Sequence, residues 1–157
     1  MSGNLSTTLI ISGVVLIVGF TFLTVFLPMI TRPQTKLWLG DGIYNIKIAS
    51  TEASRTKGLS GQTDLASDQA LLMVFPKEDY WGIWMKDMNF PIDIVWLNKA
   101  KQVIYIVKNA PIDDQTTIYQ PKSPALYVVE LPAGTTTSES ISLNKFASFQ
   151  GNITGVN

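Results

Sequence analysis

The residues able to do chemistry concentrate in one run, Trp84-Met85-Lys86-Asp87-Met88-Asn89-Phe90-Pro91-Ile92-Asp93-Ile94-Val95-Trp96-Leu97. It sets one lysine and two aspartates between bulky apolar side chains, and Pro91 stiffens the stretch that separates them. Charges in such surroundings are costly unless paired or kept exposed for use. If Trp84–Lys86 and Ile92–Leu97 are neighbouring strands, the turn between them gathers Lys86, Asp87 and Asp93 at a sheet end. Arg55 and Glu130 could join them there. The group would then be a ligand site, with a cation and carboxylates for hydroxyls or charged groups and with Trp84 or Tyr80 as a stacking platform, a combination that suits sugars. The alternative is a structural ion pair of Lys86 or Arg55 with Asp93 that locks a turn.

Other chemistry is weaker. Asp87 or Asp93 with Glu130 could act as the carboxylate pair of a small hydrolase acting on carbohydrate. The strings Ser54–Lys57 and Ser142–Lys145 have the serine-to-lysine spacing of some acyl-transfer enzymes but lack the partner motifs. Asp113-Asp114 reads as a solvated turn rather than a calcium loop. The chain has no cysteine and no histidine, which removes Ser-His-Asp and Cys-His catalysis, the usual zinc sites and any imidazole switch. No catalytic residue, metal or cofactor is therefore assigned. Twelve basic and twelve acidic residues balance, without a basic cluster, so nothing marks a nucleic-acid partner.

The elements that must position these residues follow from periodicity. Residues 1–8 form a short N-terminal tail. Leu9 to Ile30 is free of charge and apolar apart from Ser12, Thr21 and Thr24, which can bond back to helix carbonyls. As a helix these residues would reach about 33 Å, enough for a bilayer core of roughly 30 Å. They are expected to form a single uncleaved transmembrane helix, because Thr31-Arg32-Pro33-Gln34 makes a poor signal-peptidase site. Residues 31–36 read as a linker and 37–157 as a globular β-rich domain.

Within that domain, strands are expected at Ile43–Ile48, Leu71–Phe75 (closed by Pro76), Trp81–Lys86, Ile92–Leu97, Val103–Val107 and Leu126–Leu131. Asn98-Lys99-Ala100-Lys101 joins two of them as a hairpin. Ser50 or Thr51 caps one short helix that ends near Gly58. Residues 109–124 read as loop, and 141–149 as one or two edge strands. The fold class is mainly β with a minor α component: a compact β-sandwich or barrel-like domain with one short helix. Trp96 belongs to the core by alternation with Ile94.

Arg55-Thr56-Lys57-Gly58-Leu59, Leu72-Met73-Val74-Phe75-Pro76, Trp84-Met85-Lys86, Pro91-Ile92-Asp93 and Glu130-Leu131-Pro132-Ala133-Gly134 occur in an order and rough spacing that resembles the domain of unknown function 192 family. The resemblance covers about residues 38–150. The chain departs from the family pattern at Ala70-Leu71-Leu72-Met73 and at Asp87-Met88, where many members carry asparagine-threonine. The second departure adds a negative charge to the expected site. The resemblance implies a small strand-rich domain, often behind a signal or anchor, and no established reaction. It also favours the extracytoplasmic side, against a two-residue charge bias (Arg32 and Lys36) that points the other way. The expectation is thus a membrane-anchored, non-enzymatic binding or accessory domain for a small polar ligand, glycan or envelope protein. A small hydrolase and a purely structural envelope component are the alternatives.

Overall fold

The computed structural model describes residues 35–113, 116–150 and 153. The expected membrane span over 9–30, its flanks and Asp114 lie outside the described residues. Nine strands and two short helices follow in chain order: β1 (Lys36–Leu39), β2 (Gly42–Ala49), α1 (Glu52–Lys57), β3 (Gln69–Asp79), β4 (Ile83–Trp84), β5 (Ile92–Leu97), β6 (Val103–Ala110), β7 (Ile118–Tyr119), β8 (Ala125–Pro132), α2 (Thr135–Ser138) and β9 (Ser148–Gln150).

Seven strands form one mixed sheet in the order β6-β5-β8-β3-β2-β1-β9, and β4 pairs only with β7. Every pairing is antiparallel except β2 with β3. A parallel pair needs a crossover, and the segment containing α1 supplies it. The domain is mainly β as expected, but in place of a sandwich or barrel its main sheet is mixed and mostly open. Gln102 bridges Phe146, and the Val103 N–H donates to the Lys145 carbonyl at 2.8 Å. There the segment leading into β9 reaches the start of β6.

Because side chains alternate across a strand, the sheet has two apolar faces. Leu72, Val74, Val95, Leu97, Val129 and Leu131 fill the first face. Leu71, Met73, Phe75, Ile94, Trp96 and Val128 lie on the second. The second face is covered by Leu59, Ile83, Met85 and Met88. Strand β5 is buried along its whole length because both its faces are covered. Trp96 is fully buried, as its alternation required, and its Nε1 donates to the Trp81 carbonyl at 2.8 Å.

Local signals locate several elements well. The Thr51 side chain accepts from the Ser54 N–H while the Ser54 side chain accepts from the Thr51 N–H, a capping box that starts α1. The Ser54 hydroxyl also donates to the Thr51 carbonyl, which gives it a structural role. Gly58 ends the helix at φ +49°. In the β5–β6 hairpin, Lys101 takes φ +64° and its N–H donates to the Asn98 carbonyl at 2.8 Å.

Four expectations change. Strand β3 does not stop at Pro76 but runs to Asp79. Its pairing with β8 shifts register between Val74 and Asp79, and a proline is tolerated at such an irregularity. The expected strand 81–86 shrinks to Ile83–Trp84 and pairs with Ile118–Tyr119, inside the stretch read as loop. It is therefore not a neighbour of β5. A second helix, α2, forms in the threonine and serine cluster after Gly134. Ser142–Lys145 lies in a turn rather than a strand, closed by the Lys145 N–H on the Ser142 carbonyl at 3.3 Å.

Candidate functional site

Alternation decides which carboxylates can meet. In the β5–β8 ladder Asp93 stands opposite Leu131 and Ile94 opposite Glu130. Leu131 belongs to the first face and Ile94 to the second. Asp93 and Glu130 therefore point to opposite faces of the sheet. The single polar cluster of Lys86, Asp93, Arg55 and Glu130 does not form.

Asp93 is fully buried and fully engaged. Its Oδ1 accepts from the backbone N–H groups of Asn109 (2.8 Å) and Gly134 (3.2 Å). Its Oδ2 accepts from the Thr136 N–H (2.7 Å) and the Thr136 hydroxyl (2.6 Å). An ionised carboxylate offers about four lone-pair sites, and four donors occupy them here. No cation is needed, and no ion pair joins Asp93 to Lys86 among the described residues. Asp93 ties β5 to the end of β6 and to the β8–α2 turn through three backbone N–H groups and the Thr136 hydroxyl, not through the ion pair with Lys86 or Arg55 raised as the alternative.

The second face carries a cleft of about 530 Å³. Its walls come from α1 and the loop after it, from β3 and from the segment 81–88. Arg55, one expected site residue, forms part of one wall. Its Nη1 donates to the carbonyls of Ser50 and Val74, the latter at 2.9 Å. Its guanidinium lies 5.1 Å from the centre of the Phe75 ring, which stacks on Trp81 at 4.4 Å and 13°. The segment 84–90, which brings Trp84 and Met88 to the cleft, is pinned to the loop after α1. The Ser60 hydroxyl donates to the Lys86 carbonyl at 2.9 Å, the Gly61 N–H to the Asp87 carbonyl at 2.9 Å, and the Asn89 side chain to the Gln62 carbonyl at 2.8 Å.

Glu130 lies at the base of this cleft, only 3 % exposed. Its Oε2 is buried without a hydrogen-bond partner. Burial pushes its carboxyl up from 4.5 to about 8, so the proton stays on at neutral pH. Met73 and Gly58 flank it: a Cβ built on Gly58 would lie 3.2 Å from the Met73 methyl and 3.8 Å from Glu130 Oε2. Glycine at this position holds a positive φ and keeps the neighbourhood of the carboxyl open.

The remaining expected residues divide. Trp84, 45 % exposed, lines this cleft and an adjoining shallower groove. Lys86 and Asp87 line only that groove, with the Lys86 ammonium 5.3 Å from the centre of the Trp84 ring. Tyr80 lines neither; it is exposed, and its carbonyl accepts from the Gln120 side chain at 2.7 Å. The cleft residues not anticipated include Phe75, Trp81, Met73, Met88, Ile118 and Gly58. Gly58, three residues after Arg55, and Met73 and Phe75 lie in the family-like motifs, so a sequence signal pointed toward them.

The cleft can therefore take an apolar body and present one buried acid to it. Among the described residues no group of three or more acidic side chains could hold a metal ion.

Two solved structures share the fold. One is a protein of unknown function from Novosphingobium aromaticivorans DSM 12444, 22 % identical over 73 % of this chain and 83 % of its own, with a TM-score of 0.68. The other is a "putative transcription regulator" from Sinorhizobium meliloti 1021, 24 % identical over 74 % of this chain and 92 % of its own, also at 0.68. At such identities the likeness speaks for the fold alone. No curated protein matches the chain. Residues 37–145, which include both Gly58 and Glu130, match the model of the DUF192 family, described as uncharacterized ACR, and the chain belongs to that family.

Proposed function

We propose that this domain is a non-enzymatic binding module that receives a small ligand in the cleft over Glu130. The observation that carries the reading is an almost fully buried carboxyl at the base of the cleft with one oxygen unpartnered. An unmet polar atom in an apolar setting costs about 1–3 kcal/mol, and a ligand that meets it recovers that cost. The volume lies in the range of small-molecule sites, and a lining of apolar and aromatic side chains with a few polar groups is their usual make-up. The charge-free run 9–30 supports a membrane anchor for the module, and the family's frequent signal or anchor supports an extracytoplasmic position.

A fluorescence screen of the full chain tests the binding reading, with Trp81 and Trp84 in the cleft as reporters. Saturable quenching by a hit should weaken about tenfold or more in Trp84→Ala, a substitution at a half-exposed position. Hits that bind Trp84→Ala unchanged would argue against this cleft. External protease on intact cells tests the location: the domain should be cut without lysis, and full protection would reverse the assignment.

A further inference from the structure

We propose, resting on the cleft reading above, that the occupant is a compact organic cation, a primary ammonium on an apolar body, whose charged head pairs with the Glu130 carboxylate. A neutral hydrogen-bond acceptor would meet only the acid's O–H. An ammonium carries three donors, can serve both carboxylate oxygens and supplies the countercharge that the site lacks.

No cation of the protein forms an ion pair with Glu130 among the described residues, and Lys57, which also lines the cleft, is exposed. Arg55, Lys57 and Glu52 reach the cleft from α1, and Lys86 and Asp87 line the adjoining groove. Arg55 is held by two backbone carbonyls and by the Phe75 face. The Lys86 ammonium sits over Trp84. On its two neighbouring strands Glu130 stands opposite Leu71 and Ile94, both apolar. Arg55 on the Phe75 ring and Lys86 on the Trp84 ring show that aromatic rings lining the cleft hold cations, as ring faces do. A glutamine would offer neutral hydrogen bonding at this position; a glutamate adds the capacity to ionise against a bound charge.

Binding then exchanges a proton for the ligand. With the free carboxyl titrating at about 8, about nine-tenths of the sites hold a proton at pH 7 and give it to solvent when the ammonium binds. Affinity should rise about tenfold between pH 7 and pH 9.

Isothermal titration of the full chain with phenethylammonium, in two buffers of different ionisation enthalpy, measures affinity and proton release together. Phenylacetamide is the neutral probe, since it both donates and accepts. The expected result is tighter binding of the ammonium, release of close to one proton at pH 7, and loss of the ammonium preference in Glu130→Gln. Phenylacetamide binding as tightly, without proton release, would overturn the cation assignment and leave the cleft reading standing. Saturable binding of neither probe would overturn both.

Discussion

Asp93 and Glu130 are both buried acids on adjacent strands, one register step apart, and they meet opposite fates. Asp93 faces backbone donors that converge from three places and fills all its acceptor positions. Glu130 faces a cleft and leaves one oxygen unmet. Burial alone therefore does not fix the fate of a carboxylate; the supply of donors does, holding Asp93 in the fold and leaving one oxygen of Glu130 to the ligand we propose.

The contrast can be broken most severely at Asp93. Asp93→Ala strands two buried Thr136 donors and two further N–H groups, and should cost about 3–5 kcal/mol in chemical denaturation of the full chain. A loss below about 1 kcal/mol would remove its structural role.

Glu130 should behave in the opposite sense. Its carboxyl titrates at about 8 when folded and 4.5 as the ordinary value, so between those values the folded state holds a proton that the unfolded chain has released. Its contribution is fully present below pH 4.5 and is lost as pH rises to about 8, with a slope of up to about 1.4 kcal/mol per pH unit. Glu130→Gln should remove that slope from denaturation curves measured across the window and should be the more stable protein at pH 8. An unchanged slope would contradict the assignment.

A smaller effect sharpens the comparison at the edge of the cleft. Gly58→Ala places a side chain at φ +49°, close to Met73 and Glu130, and should cost about 1–3 kcal/mol while weakening cleft ligands. The smallest effect is expected at Tyr44. Its buried hydroxyl also lacks a partner, and burial with the nearby Glu139 charge pushes it up to about 12. It belongs to the core on the first face, away from the cleft's lining, so Tyr44→Phe should leave ligand binding unchanged and alter stability by less than about 1 kcal/mol.

What the sequence made legible was local. Alternation marked β2, runs of strand-forming residues marked β5, β6 and β8, a cap at Ser50 or Thr51 marked the start of α1, and Asn98–Lys101 marked a hairpin. What it hid depends on partners far along the chain. The pairing of β4 with β7 rests on two residues on each side, some 35 positions apart, too few for a periodic signal. The extension of β3 past Pro76 depends on a register shift against β8. Arg55, Trp84 and Glu130 were placed in a candidate site and do line one cleft. Asp93 was grouped with them because its face depends on the β5–β8 register, and its donors lie 16 to 43 positions away.

The most direct test of the contrast is a carboxyl carbon-13 NMR titration of the full chain, in which Glu130 is one of only four glutamates and Glu130→Gln identifies its resonance. A midpoint of about 8 is predicted for Glu130 in the free protein, falling when phenethylammonium saturates the cleft. A midpoint near 4.5 would mean that Glu130 is solvated or already paired, and would contradict the account.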